Sequence, residues 1–262
     1  MRAKRKIEGT ASGTEARSGG LPREELAFHL KALRKVLIIS LGGIAAVFLV
    51  VFLGFSREVM NFLEEPIKSR GIELIFISLH EPIFIQMKAA FMVSVIIVSP
   101  LILAQVWSFI KPALYPREGR FVALMFFITL ALFLLGALFA YLIVFQMAVT
   151  FFLGSGEGIA QPFISIERYV NFLAGFVLPF GLVFETPIVM AVLTLSGLVK
   201  ASTFSRLRKY IIFGIFVIAA VLTPPDVVSQ VLLALPLVVL FEAGIIVSRI
   251  VQKRRNKSGD KT

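Results

Sequence analysis

The chain has 262 residues, 58% of them hydrophobic and only 16% charged, and it contains no cysteine. Its mean hydropathy of +0.90 excludes an ordinary soluble domain, in which about 45–50% of residues are apolar, and the lack of cysteine excludes disulfides and thiol nucleophiles. The net charge of +11 fits membrane topology better than nucleic-acid binding, so we predict an all-α polytopic membrane protein with no nucleic-acid partner.

Uncharged stretches of membrane-crossing length predict six transmembrane helices between two polar tails. Residues 1–22 are basic and rich in Gly, Ser and Thr, which is typical of a disordered tail, and residues 251–262 form a second basic tail. The membrane domain between them covers residues 23–250. Its spans are predicted at about 36–55, 89–110, 121–153, 169–199, 210–223 and 227–248.

The third and fifth predicted spans have unusual lengths. The third has 33 residues, or ~50 Å of helix, so it must tilt or project beyond a hydrocarbon core of ~30 Å. The fifth, from Tyr210 to Thr223, has 14 residues and reaches only ~21 Å. Two prolines before Asp226 end this span, and Asp226 suits the N-cap of the next helix.

The distribution of basic residues predicts the orientation of the chain. Of the 27 Lys and Arg residues, 22 lie in the N-terminal segment through Lys35, in segments 111–120 and 200–209, and in the C-terminal tail from Arg249. Basic residues concentrate on the cytoplasmic side of membrane proteins. We therefore predict that both termini are cytoplasmic.

Sequence patterns for enzymatic chemistry are absent. Neither histidine, His29 nor His80, lies in a predicted span or an HExxH pattern, and no Gly-x-Ser-x-Gly or nucleotide-binding pattern occurs. We therefore expect no enzyme, no metal site and no cofactor.

Three polar residues inside predicted spans are candidates for a functional role. Glu185 is the lone charge of the fourth span, where an isolated charge costs ~2.5–3.5 kcal/mol on insertion scales, and Pro187 removes the helical donor of the Val183 carbonyl. Glu185 is either satisfied by a neighbouring helix or forms a functional polar site at membrane depth. Gln230 either contacts a partner or hydrogen-bonds a neighbouring helix. Glu242 either contacts a partner, extends to the cytoplasmic end of the last span or pairs with a basic residue.

The approach to the first cytoplasmic loop carries an aromatic residue and an acid. Trp107 fits the aromatic belt of a membrane interface. Glu118 is the only acidic residue in the short cytoplasmic loops. On composition alone, it pairs with Arg117 or Arg120.

Five stretches together resemble the TatC family, the multi-spanning subunit of the twin-arginine translocase. They are FHLKALRKVL (28–37), LEEPIKSRG (63–71), SPLILAQVWSFIKPALYPRE (99–118), LPFGLVFETPIVM (178–190) and LTPPDVVSQVLLALPLVVLFEAGI (222–245). The resemblance runs from about Leu26 to Arg249 in the order and spacing of the family.

The resemblance implies a fold and a function. The implied fold is a concave, glove-like wall of six helices whose last two spans are short. The implied function is that of a receptor for twin-arginine signal peptides and core subunit of a translocase. It exports folded proteins across the cytoplasmic membrane of a bacterium or archaeon, driven by the proton-motive force. The implied partners are single-span TatA- or TatB-type subunits and the lipid bilayer, in a multi-copy complex.

Residue by residue, the resemblance assigns binding positions. Glu118 matches a glutamate that contacts the signal arginines, which suits a carboxylate that accepts the guanidinium fork bidentately, and Arg120 lies beside it. Glu185 matches a membrane-embedded glutamate, and Gln230 matches a polar residue on the partner-facing last span. The structural positions are Pro66, Gln105, Trp107, Pro187, Pro225 and Asp226.

Position 32 departs from the family pattern, which has an acid where this chain has Ala32. Glu25 lies seven residues earlier, and on a helix seven residues return to nearly the same face at ~10 Å. We expect Glu25 to replace part of the missing acid in signal-peptide binding, whereas Glu24 is rotated further off.

A proton-coupled small-solute transporter is the alternative function, with Glu185 as its carrier site. Transporters commonly contain repeats and paired broken helices, and no repeat is found in this sequence. Solute flux by this chain alone would distinguish the two functions.

Overall fold

The computed structural model describes residues 23–110, 119–156, 162–222 and 227–259. Within these ranges the chain forms nine α-helices and two short β-strands. The helices are α1 (Arg23–Gly54), α2 (Ser56–Lys68), α3 (Glu81–Ile110), α4 (Gly119–Phe139), α5 (Phe145–Gly156), α6 (Ile166–Val183), α7 (Thr186–Leu195), α8 (Ala201–Leu222) and α9 (Val227–Gly259). A π-helical turn, Ala140–Val144, joins α4 to α5, and the strands are β1 (Leu74–Ile75) and β2 (Ile164–Ser165).

Five helical segments of the described ranges are long and apolar enough to cross a membrane. They are Lys31–Gly54, Glu81–Ile110, Ala123–Gly156, Ile166–Leu195 and Val227–Lys253. Each overlaps one of the predicted spans and continues beyond it at one end or both, because a helix can run on into the polar layer. The chain is a multi-pass membrane protein, and the count of six crossings stays a prediction.

Helix α8 contains the predicted fifth span, and it is longer than expected. It begins at Ala201, nine residues before Tyr210, and has 22 residues, or ~33 Å of helix. Its first half carries Arg206, Arg208 and Lys209, which the sequence analysis assigned to a loop because they are charged. Helix α9 has 33 residues. Helices α8 and α9 are therefore both longer than the spans predicted there, although the uncharged part of α8 remains short, and the shortness of the last two spans stays a prediction.

The helices pack in a series that runs from α1 to α8. Helix α1 contacts α3, α3 contacts α4 and α6, and α4 contacts α6; beyond the break after α6, α7 contacts α9 and α9 contacts α8. Glycines permit two of these close approaches. A Cβ atom on Gly136 would lie 2.8 Å from the carbonyl oxygen of Phe180, and one on Gly244 would lie 3.3 Å from Cα of Pro187.

The main core surrounds α6 and includes buried side chains of α2, α3, α4 and α5. Its largest fully buried side chains include Phe145, Leu173, Phe176 and Phe180. The ring of Phe172 meets Phe145 at a tilted angle and Phe176 edge-on, as aromatic pairs prefer. The part of the fourth predicted span that forms α6 is therefore packed in this core.

Helix α2 and strand β1 lie between the first two predicted spans, in a segment for which the sequence predicted no helix or strand. Met60, Leu63 and Ile67 of α2 are buried. Strand β1 pairs in parallel with β2, with Leu74 opposite Ile164. The segment that contains β1 and the segment that contains β2 are therefore joined by this pairing, and α2 packs against α3.

Candidate functional site

The fourth predicted span is broken at Glu185. Helix α6 ends at Val183 and α7 begins at Thr186, and the Glu185 N–H donates to the Leu182 carbonyl at 3.1 Å in a tight turn. Pro187 stands in the first turn of α7, where its missing N–H is tolerated, but it cannot donate to the Val183 carbonyl. The fourth predicted span is therefore interrupted next to the carbonyl that loses its donor, and Glu185 lies between α6 and α7.

The Glu185 carboxyl group is buried, with 9% of the residue exposed. The backbone of Phe133 on α4 lies within hydrogen-bonding reach of this group. Its Oε1 atom, however, is buried and has no hydrogen-bond partner among the residues that the structure describes. A buried acceptor in that condition costs about 1–3 kcal/mol, so the site can gain from a donor that the described chain does not supply.

Gln230 bonds within the chain. Its side-chain Nε2–H donates to the carbonyl oxygen of Phe216 at 3.0 Å, joining α9 to α8. This is the neighbouring-helix alternative that the sequence left open. One of the two N–H donors of the Gln230 side-chain amide is therefore already engaged.

Glu242 is paired with a basic residue of α8. Arg208 Nη2 lies 2.6 Å from Glu242 Oε2. Arg249, which follows Glu242 on α9, instead donates from Nη2 to Ser205 Oγ at 2.9 Å. Neither Arg208 nor Ser205 was expected as a partner, because residues 200–209 were predicted to lie in a loop rather than in a helix beside α9.

Trp107 is buried, with 5% of the residue exposed, so its predicted place in an interfacial aromatic belt is wrong. Its Nε1–H donates to Thr129 Oγ1 at 3.2 Å, linking α3 to α4. Gln105, two residues earlier, is half-buried. Both residues belong to the packing of α3, and Trp107 is an internal contact rather than a lipid contact.

Pro66 lies inside α2 and leaves a carbonyl without its helical donor. Because proline has no N–H, that carbonyl belongs to Phe62, four residues earlier. Tyr141, in the π-helical turn, donates its hydroxyl to the Phe62 oxygen at 2.8 Å, and Tyr169 of α6 donates to the Leu63 oxygen at 2.7 Å. These tyrosines were not identified from the sequence, although Pro66 itself marks where a donor is required.

Several predicted site residues lie outside the described part of the chain. They are Glu118, Pro225 and Asp226, and the side chains of Glu25 and Arg120. The backbone of α1 is described from Arg23 onward, so Glu25 and Ala32 stand on one continuous helix. The described residues contain no group of three His, Asp or Glu side chains that could hold a metal ion.

Comparison with known proteins identifies the family. The model of the family described as "Sec-independent protein translocase protein (TatC)" matches residues 28–236. The TatC protein of Carboxydothermus hydrogenoformans is 38% identical over 234 residues, which is 89% of this chain and 96% of that protein. The chain belongs to the TatC family. The TatC of Aquifex aeolicus is also similar, with 40% identity over 88% of this chain and 98% of that protein.

A solved TatC structure has the same fold. The crystal structure of a twin-arginine translocase receptor TatC superposes with a TM-score of 0.79 at 40% identity, covering 85% of this chain and 99% of that chain. The TatC family match includes Glu118, Glu185 and Gln230, whereas Glu25 and Glu242 lie outside its limits. These similarities do not support the small-solute transporter alternative.

Proposed function

We propose that this chain is the signal-peptide receptor and core subunit of a twin-arginine translocase. It exports folded proteins across the cytoplasmic membrane and draws on the proton-motive force rather than on catalysis. The observation that carries the proposal is the similarity, at a TM-score of 0.79 over 85% of the chain, to a structure described as a twin-arginine translocase receptor. The lack of an HExxH, Gly-x-Ser-x-Gly or nucleotide-binding pattern in the sequence agrees with a non-enzymatic role.

The proposed partners are twin-arginine signal peptides and single-span TatA- or TatB-type subunits, in a multi-copy complex. Both termini are proposed to be cytoplasmic, because 22 of 27 basic residues lie in segments of that side. Glu118, at the cytoplasmic loop, is proposed to accept the signal arginines, with Arg120 orienting it. A guanidinium bound by two parallel bonds to one carboxylate is the strongest ion pair for this purpose.

Complementation tests the proposal directly. The chain is expressed with single-span partners in cells that lack their own TatC, and export of a folded reporter with a twin-arginine signal is measured. We expect export with the wild-type chain and loss with Glu118→Gln. The matched control is Glu58→Gln, which removes one carboxylate from the predicted outer side. No export by the wild-type chain with any partner set, at normal membrane levels, would refute the function.

Glu25 is proposed to supply the second acidic contact that Ala32 does not. Both residues lie on α1, and a separation of seven residues places them within about 20° of one face and ~10 Å apart. Binding of a twin-arginine peptide is measured for Glu25→Gln, for Ala32→Glu and, as a control, for Glu24→Gln, whose side chain is rotated about 80° from position 32. We expect weaker binding only for Glu25→Gln and tighter binding for Ala32→Glu. Unchanged binding in Glu25→Gln would contradict this role.

A further inference from the structure

An open cleft lies between the start of α8 and the end of α9. Its volume is about 460 Å³, and it is lined by Ala201, Ser202, Ser205, Arg249, Gln252 and Lys253. The cleft is separate from the α6–α7 turn that holds Glu185. None of its residues was assigned a role in signal-peptide binding.

Two hydrogen bonds between the helices fix the shape of the cleft. The backbone N–H of Ala201, the first residue of α8, donates to Gln252 Oε1 at 2.9 Å. The Arg249 guanidinium donates to Ser205 Oγ at 2.9 Å. Arg249 is thus held in place by a neutral hydroxyl, so its charge is oriented but not cancelled.

The cleft is cationic because the nearby acid is used elsewhere. Glu242 pairs with Arg208 at 2.6 Å. Among the described side chains, no carboxylate lies within ion-pair distance of Arg249 or Lys253. Two cations and two serine hydroxyls therefore face the cleft with no acid in its lining, and the positive end of the α8 dipole adds to the potential.

The cleft stands at the depth of lipid headgroups. The uncharged part of α8 begins at Tyr210, and Ser205 lies five residues, or ~7.5 Å, before it. The polar layer on each side of a hydrocarbon core of ~30 Å is about 5–8 Å thick. With the hydrocarbon boundary predicted at Tyr210, Ser205 and the Arg249 side chain bonded to it therefore lie within the layer of lipid headgroups.

We propose that this cleft binds the phosphate of an anionic phospholipid headgroup. Arg249 and Lys253 neutralise the phosphate, and the Ser202 hydroxyl donates to one of its oxygens, whereas the Ser205 hydroxyl is engaged by Arg249 and by the Ala201 carbonyl. A cationic site repels the arginines of a signal peptide, so this activity goes beyond the proposed receptor function. Basic pockets between transmembrane helices on the cytoplasmic side suit such headgroups.

The test uses the full chain in phosphatidylcholine nanodiscs that contain a minor fraction of phosphatidylglycerol. Native mass spectrometry measures the binding constant of retained phosphatidylglycerol. We expect Arg249→Gln and Lys253→Gln each to lower it more than tenfold, because each removes a charge-assisted hydrogen bond. The control is Arg206→Gln, an exposed residue of α8 outside the cleft lining, where loss of diffuse attraction predicts about fivefold or less.

Two results would overturn the proposal. Equal losses in the control and the cleft variants would mean diffuse attraction without a site. Binding of inorganic phosphate to the lipid-free protein in detergent, lost in the cleft variants but without preference for phosphatidylglycerol in nanodiscs, would mean a free-phosphate site. Lys253 is exposed, so Lys253→Gln keeps the test valid even if Arg249→Gln perturbs folding, which circular dichroism checks.

Discussion

Removing the Tyr141 hydroxyl should destabilise the chain because Pro66 makes that hydroxyl necessary. Tyr141→Phe keeps the ring, which stacks on Phe62 at a centroid distance of 5.0 Å. It deletes only the bond to the Phe62 oxygen at 2.8 Å. In α2 the usual donor to that oxygen is the amide four residues later, and at Pro66 there is none.

The expected magnitude follows from this geometry. A net intramolecular hydrogen bond contributes about 0.5–1.5 kcal/mol, and an acceptor left unpaired adds to the loss when it is buried. Because the Tyr141 bond lies near the surface of the chain, we expect Tyr141→Phe to lower the unfolding free energy by about 1 kcal/mol. With Pro66→Ala the new amide can donate to the Phe62 oxygen. In that background the same change should cost only a few tenths of a kcal/mol, a coupling of about 0.5–1 kcal/mol.

Denaturant titration in detergent micelles measures the four unfolding free energies of this cycle. Circular dichroism reports helix loss, and Trp107, the single tryptophan of the chain, gives a second signal from a buried position. Tyr169→Phe is the matched control. Its hydroxyl bonds the Leu63 oxygen at 2.7 Å, and the helical donor to that oxygen is Ile67, which is present in both backgrounds. Equal costs of Tyr141→Phe with and without Pro66 would refute the reasoning.

Four further predictions follow from single contacts. Trp107→Phe and Thr129→Val should each cost about 1 kcal/mol, and the double variant should cost less than their sum in a denaturant titration, because both lose one hydrogen bond. Arg208→Gln should cost at most about 1 kcal/mol, with a smaller effect at high salt, since the Arg208 and Glu242 side chains are 49% and 33% exposed. The hydrogen bond and charge of Glu64 raise the pKa of Lys68 above its ordinary value of 10.5. The stability that the Glu64–Lys68 pair provides is therefore complete below pH 10.5 and is lost as the pH rises through the raised pKa. When the unfolding free energy is followed at alkaline pH, Glu64→Gln should lack this loss. Glu185→Leu should leave the isolated chain as stable or up to about 1–3 kcal/mol more stable, while reporter export in the complementation assay falls; a clear loss of stability would mean that the carboxyl group is satisfied within the chain.

The sequence predicted the apolar helices because lipid imposes a simple rule on them. A run without charge must be helical to satisfy its backbone in the bilayer, so the first four predicted spans and the sixth correspond to helices. Outside the lipid the rule no longer applies. The first half of α8 carries three basic residues and is nonetheless helical, and α2 has Pro66 in its interior. A charged residue or a proline therefore does not by itself mark where a helix ends.

The candidate site could be predicted only where its signal is local. Pro187 and Glu185 lie two residues apart, and a proline in a span predicts a carbonyl that has lost its helical donor. Pro100 has the same effect on the Ile96 carbonyl, but there Ser99 Oγ donates to that oxygen at 2.7 Å and α3 continues unbroken. By contrast, the bond from Trp107 to Thr129 joins residues 22 positions apart, and Glu242 pairs with Arg208 from 34 positions away. Such pairs depend on how helices pack, which residue types alone do not specify.

The three polar residues expected to contact partners differ in whether their polar atoms already have a hydrogen-bond or ion-pair partner within the chain. Gln230 already donates to the Phe216 carbonyl, and Glu242 already neutralises Arg208, so a partner would have to displace an existing interaction at either residue. Glu185 has a buried oxygen without a partner in the described ranges, and it stands at a break that Pro187 keeps open. A hydroxyl or amide on a partner helix would gain a bond there and displace none. Among the three, Glu185 is therefore the residue whose environment most favours contact with a second membrane helix.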